Sequence, residues 1–242
     1  MIHRMKRRRI HKACLVAGLA GMVMAPRLFA YVGLDGTLNF TASTNQNGNG
    51  GEFNAVTSGL GSFATFCLEA QEHIGQPPSG PYTYTINTGA VTGGPGAGAV
   101  DLYTGLPMDN ISLGTAWLYS QFRAGALTLA TGTGSYFGAG RLANAGDLQN
   151  AIWYLEDEGG QLNGYVTLVE TVLGKTEAQI KADANGAYGV VALNLFDVNG
   201  KRAQDQLGIA YNLPPAVPEP STVILLAAGL GALGLFRRRK LS

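Results

Sequence analysis

Leu148-Gln149-Asn150-Ala151-Ile152-Trp153-Tyr154-Leu155-Glu156 is the stretch around which the rest of the chain is read. Leu148, Ile152 and Leu155 recur at helical spacing and form one apolar stripe. The pattern predicts an amphipathic helix over residues 147–158, with Asp147 as its N-cap and Gly159-Gly160 ending it. Glu156, Asp157 and Glu158 crowd the last turn and oppose the helix dipole, so tertiary packing has to hold this helix in place. Gln149 lies one residue off the stripe and one turn before Trp153, which half-buries a polar amide beside an indole.

Working outward, the period changes on both sides of this helix. Upstream, residues 32–41, 52–58, 62–69 and 82–87 read as strands, the last by strict alternation in Tyr82-Thr83-Tyr84-Thr85-Ile86-Asn87. The polar run at residues 45–51 is a turn, and the Gly-rich run at residues 90–99 has no phosphate-binding pattern. Residues 112–123 read as a helix. Residues 164–173 fit helix or strand, and residues 176–184 fit a short helix capped by Thr176. Strand character returns at residues 188–196 and 204–212, around a turn at Asn199-Gly200. Strands flanking a helical middle predict an α+β domain, a β-sandwich or barrel with a helical insertion, over residues 31–216.

The two ends carry addresses. Residues 1–30 place Arg4, Lys6, Arg7, Arg8 and Arg9 before a short apolar run and Leu28-Phe29-Ala30, the pattern of a secretory signal peptide. Residues 217–242 place an apolar run between Pro218-Glu219-Pro220 and Arg237-Arg238-Arg239-Lys240. The run is shorter than the roughly 20 residues of a usual membrane helix, and the basic cluster sets its end on the cytoplasmic side. The body between holds six Lys and Arg against fifteen Asp and Glu, a net charge of −9. An acidic body without a basic stripe argues against a nucleic-acid partner. Cys14 falls in the signal peptide, so Cys67 stands alone in an exported body and has no internal disulfide partner.

Residues 217–240 resemble a PEP-CTERM sorting signal: Val217-Pro218-Glu219-Pro220, a Gly-, Ala- and Leu-rich apolar segment, then Arg237, Arg238 and Arg239. The resemblance implies that the export machinery and an exosortase, a membrane transpeptidase-like enzyme of Gram-negative bacteria, handle the chain. It implies transient anchoring in the inner membrane by a short transmembrane helix, then a place on the cell surface or in the extracellular matrix.

The body's inventory speaks against an enzyme. It holds one histidine, His73, close to Cys67 but in no familiar catalytic motif. Glu69, Glu72 and His73 are residues that can touch a metal, but three such groups on an acidic surface are more often solvated; no metal and no cofactor are expected. Asp183-Ala184-Asn185-Gly186 and Asp197-Val198-Asn199-Gly200 begin like calcium loops but lack the remaining ligands, so they read as turns. The acids Glu156 to Glu158 read as a solvated helix end. A different chemistry fits Cys67 and Gln149. A cysteine sulfur held against a glutamine carboxamide in a dry site can displace ammonia and leave a thioester. Phe66, Trp153 and Tyr154 are the candidates to shelter it, with Tyr154 also a candidate donor.

Phe66-Cys67 together with Gln149-Asn150-Ala151-Ile152-Trp153 resembles bacterial surface thioester domains, in which an aromatic-Cys pair meets a distant Gln-x-Ala-x-Trp. Leu148 stands where that family often has Thr, and Ala70 where it often has an acid. The resemblance implies a β part joined to a helical part. It also implies a noncatalytic covalent adhesin whose Cys67–Gln149 bond acylates an amine- or hydroxyl-bearing surface or matrix ligand. The alternative is a structural component of the extracellular matrix or polysaccharide layer, with Cys67 a small buried residue at a strand end and Gln149 bonded to backbone. A hydrolase using Cys67 and His73 is the third reading.

Overall fold

The computed structural model describes residues 36–48, 50–91, 99–100 and 107–210. The signal peptide, the first residues of the 32–41 strand, most of the Gly-rich run, the last residues of the 204–212 strand and the sorting segment lie outside the described residues. In chain order the strands are β1 (Gly36–Thr41), β2 (Gln46–Asn47), β3 (Gly50–Gly51), β4 (Phe53–Thr57), β5 (Gly61–Thr65), β6 (Ser79–Asn87), β7 (Gly89–Val91), β8 (Ala99–Val100) and β9 (Pro107–Asn110). Helices α1 (Leu113–Arg123), α2 (Arg141–Leu155), α3 (Gly164–Leu173) and α4 (Glu177–Ile180) follow, then β10 (Val190–Phe196) and β11 (Arg202–Ile209).

Six strands form one antiparallel sheet in the order β11-β10-β6-β1-β4-β5. Its alternation is what the sequence carries: Leu38 and Phe40 of β1 and Tyr82 and Tyr84 of β6 are buried while Thr37, Asn39, Thr41 and Thr83 are exposed. The sheet curls until its two edges meet. After β5 the chain leaves β4, and Phe66-Cys67-Leu68 runs beside β11. The Leu68 N–H donates to the Asp205 carbonyl at 2.9 Å and the Leu207 N–H to the Phe66 carbonyl at 3.0 Å. The predicted third strand over residues 62–69 therefore breaks at Thr65 into two pieces with different partners. One apolar cluster (Leu38, Phe40, Phe53, Tyr84, Leu193, Leu195) belongs to the sheet. A second joins the helices to Phe66, Leu68, Ala192 and Leu207. The result is the predicted α+β architecture, a curled antiparallel sheet with helices packed on it.

The helix read over residues 112–123 is α1, and Ser112 caps it: its hydroxyl accepts the Thr115 N–H at 3.2 Å. Residues 164–173 are helical, capped by the Asn163 side chain on the Tyr165 N–H at 3.0 Å. Helix α2 departs from expectation. It starts two turns before Asp147, after Gly140, whose φ of 89° is one that glycine adopts without strain. Asp147 is thus inside the helix and does not cap it. Glu156 also departs from expectation: it is buried, and its Oε1 accepts the Ser112 N–H at 3.1 Å, so it braces the start of α1 from the end of α2. Of the three acids, Asp157 alone is exposed, and it pairs with Lys181 at 2.6 Å. Among the described residues no helix is long and apolar enough to cross a membrane.

Candidate functional site

Cys67 and Gln149, 82 positions apart, meet in the fold. The Cys67 N–H donates to Gln149 Oε1 at 3.1 Å, and Gln149 Nε2 donates to the Cys67 carbonyl at 2.8 Å. One edge of the Phe66–Leu68 segment is taken by β11; the other edge, at Cys67, is taken by the Gln149 carboxamide. Both residues are shut away from solvent, Cys67 at 0% and Gln149 at 2% exposure. The N–H of Cys67 is therefore aimed at the oxygen on which negative charge grows when the amide carbon is attacked, which is the arrangement of an oxyanion hole.

The sulfur has its own contact: Gln206 Nε2 lies 3.3 Å from Cys67 Sγ. Burial pushes the Cys67 thiol up to about 12; the Gln206 hydrogen bond pulls it back and the Glu69 carboxyl adds to the rise.

The β2–β3 hairpin roofs the amide. A Cβ on Gly50 would lie 2.5 Å from Gln149 Cγ and 3.0 Å from Trp153 Cη2, so only glycine fits there. Asn47 Nδ2 donates to the Leu142 carbonyl at 3.3 Å and ties the hairpin to α2. Beside it, buried Glu52 accepts from Arg141 Nε at 2.8 Å and Nη2 at 2.7 Å, and from the Tyr136 hydroxyl at 2.7 Å. This network fixes the chain leaving the hairpin to the first turn of α2. Between hairpin and helix lies a recess of about 160 Å³ lined by Asn47, Gly50, Asp147, Asn150, Trp153 and Gln149 itself.

The expected shelter is only partly met. Trp153 packs against the cluster that contains Cys67. Phe66 points to the opposite side, edge-on to Phe122 at 5.0 Å in the helical cluster, because consecutive residues of an extended segment alternate. The Tyr154 hydroxyl donates to Glu177 Oε1 at 2.6 Å and so is turned to α4, away from the Gln149 amide. His73 is exposed while Cys67 is wholly buried, and its carbonyl accepts the Gln204 N–H at 3.4 Å.

A second polar group lies just beyond the cysteine. Glu69 Oε2 accepts the Asp205 N–H at 3.0 Å. Asp205 in turn accepts Asn194 Nδ2 at 2.6 Å, Val91 N–H at 2.9 Å and Leu195 N–H at 3.0 Å. Burial holds both carboxyls above the ordinary range, and for Glu69 the neighbouring Asp205 adds to the rise. Glu69, Glu72 and Asp205 bring ligand atoms within 4.8 Å of one another, but Arg202 Nη2 stands 3.1 Å from Glu72 and 3.6 Å from Glu69 and supplies the positive charge there. Gln206, Asp205 and the hairpin residues Asn47 and Gly50 escaped the sequence reading. Gln206 carries no local signal, since only the pairing of β11 with the post-β5 segment brings it to the sulfur.

Residues 216–240 match the family described as the PEP-CTERM protein-sorting motif. The match is to the sorting segment and defines an exported bacterial surface protein handled by the export machinery and an exosortase. Neither the curated proteins nor the solved structures gave a match to this chain.

Proposed function

We propose that this exosortase-sorted protein is a covalent adhesin of a Gram-negative cell surface or matrix, armed by a thioester between Cys67 and Gln149. The observation that carries the reading is the double hydrogen bond that seats the Gln149 carboxamide on the main chain of Cys67. Thioester formation is a balanced exchange. The Cys67 S–H and the Gln149 carboxamide give a sulfur-to-acyl bond, and the carboxamide nitrogen leaves as ammonia with the thiol proton. The Cys67 N–H polarises the carbonyl, and the fold supplies the effective concentration that the two groups lack in a free chain. A ligand amine or hydroxyl entering by the recess beside Asn47, Asp147 and Trp153 then takes the acyl group from the sulfur. An amide or ester to Gln149 forms, and the Cys67 thiol is restored.

The same hydrogen bonds support a second reading, a noncatalytic structural component of the matrix in which Gln149 completes the backbone pairing of a buried free cysteine. Labelling with a fluorescent primary amine separates the two. The adhesin takes up one label, mapped to Gln149 and lost in Cys67→Ala. A folded wild-type protein that takes up no label is the structural component.

A further inference from the structure

We propose that Gln206 is a positioning residue for the sulfur, its side-chain N–H stabilising the Cys67 thiolate as it attacks Gln149 and again as it leaves on acyl transfer. This rests on the thioester reading above and names a member of that site which no motif marks.

Three observations converge on it. First, register: Cys67 and Gln206 form an antiparallel bridge flanked by the Leu68–Asp205 and Leu207–Phe66 hydrogen bonds. That makes them a non-hydrogen-bonded pair, the kind whose side chains stand closest on one face. Second, contact: Gln206 Nε2 is 3.3 Å from Sγ and also 3.3 Å from the Gln204 carbonyl. The Gln204 carbonyl accepts only, so it fixes the amide with its nitrogen toward both acceptors; the flipped amide would set two oxygens against each other. Third, an unexplained expense: Gln206 is 0% exposed, and its Oε1 has no hydrogen-bond partner. A buried amide left half satisfied is a poor structural choice opposite Leu193, its partner on β10, where an aliphatic side chain would pack without that penalty. A donor to the sulfur is what an aliphatic residue cannot provide.

The chemistry needs such a donor. Complete burial and the Glu69 carboxyl both disfavour a charged sulfur, yet the thiolate is the nucleophile in the forming step and the leaving group in the transfer step. A hydrogen bond to the charged form favours both.

The test follows ammonia loss by intact mass, from pH 6 to 9, in reduced, freshly refolded protein carrying Gln206→Leu or, should that variant not fold, Gln206→Met; these pH limits are about those over which a thiol of ordinary pKa begins to ionise. The expected result is a rate about ten- to a hundredfold below wild type, with the pH profile displaced upward, and a matching slowing of thioester opening by methylamine. A folded variant with the wild-type rate and profile overturns the proposal. A mass deficit that persists in Gln149→Ala and disappears in the Gln206 variant also overturns it, by making Gln206 the acyl donor. The S–H stretch in the Raman spectrum of the Gln149→Ala protein keeps the two readings apart. If wild type forms no thioester but this band moves on Gln206→Leu, the thioester reading fails and the hold of Gln206 on the sulfur stands. An unmoved band removes that hold.

Discussion

Replacing Gln149 by leucine in a Cys67→Ala background tests the seating of the carboxamide without any covalent bond in play. The Cys67→Ala change leaves the main-chain N–H and C=O at position 67 where they are, and these are what Gln149 bonds at 3.1 and 2.8 Å. Leucine has similar length and no polar atoms, so both main-chain groups lose their partners in a site where the side chain at 149 is 2% exposed. An orphaned buried group costs about 1–3 kcal/mol, so two cost roughly 2–6 kcal/mol. The apolar side chain offsets about 1 kcal/mol of this, and water entering from the adjoining recess lowers it a little more. The expected loss is about 1–5 kcal/mol, read as a lower urea midpoint at unchanged slope. Gln149→Glu serves as the control. A protonated carboxyl can make both bonds, so that variant is held neutral and its folded pKa lies above the ordinary glutamic acid value. Its stability is nearest the parent at acid pH and falls as pH rises above about 4.3. A Gln149→Leu effect under about 0.5 kcal/mol would refute the reasoning, because two buried bonds cannot be lost so cheaply.

Other outcomes follow from the same geometry. Gly50→Ala drives a methyl into Gln149 Cγ and Trp153, and displaces the hairpin; it costs about 1–3 kcal/mol and slows amine labelling, both read on one preparation. Glu52→Ala strands the buried Tyr136 hydroxyl while Arg141, 35% exposed, turns to water. The expected loss is about 2–3 kcal/mol, short of the roughly 3–5 for a fully buried pair, and urea unfolding measures it. Glu156 titrates at about 7 because burial disfavours its charge. Its folded pKa lies above the unfolded value, so its stability contribution is complete below about 4.5 and is lost as pH rises toward 7. That amounts to about 3 kcal/mol from the acid side to pH 8. Urea midpoints across that range should fall with pH in wild type and flatten in Glu156→Gln, which keeps an acceptor for the Ser112 N–H.

The parts of the fold that repeat locally were legible. Strict alternation in Tyr82-Thr83-Tyr84-Thr85-Ile86 gave β6, the apolar spacing of residues 112–123 gave α1, and the Thr176 cap placed the start of α4. The Cys67 and Gln149 pairing was legible through Phe-Cys and Gln-x-Ala-x-Trp, residues set far apart in the chain. What failed had non-local causes. Asp147 looks like a cap, but Asn144 and Gly146 hide the two helical turns before it, which the Glu52–Arg141 pair anchors from a different element. Glu156 sits in a run of acids that looks solvated, and only the packing of α2 against α1 buries it. Phe66 was assigned to shelter the sulfur although alternation alone sends it to the opposite side. Gln206 reaches Cys67 across 139 positions through one strand pairing, which no local period encodes.

The mass of the folded protein, read before and after exposure to methylamine, tests the covalent claim most directly. The thioester account predicts a mass below that of the processed chain by about 17 Da, the ammonia released on condensation. The deficit is absent in Cys67→Ala and in Gln149→Ala. Methylamine converts it to a modified Gln149 and a thiol that newly reacts with alkylating agents. A folded wild-type protein at full mass would contradict it.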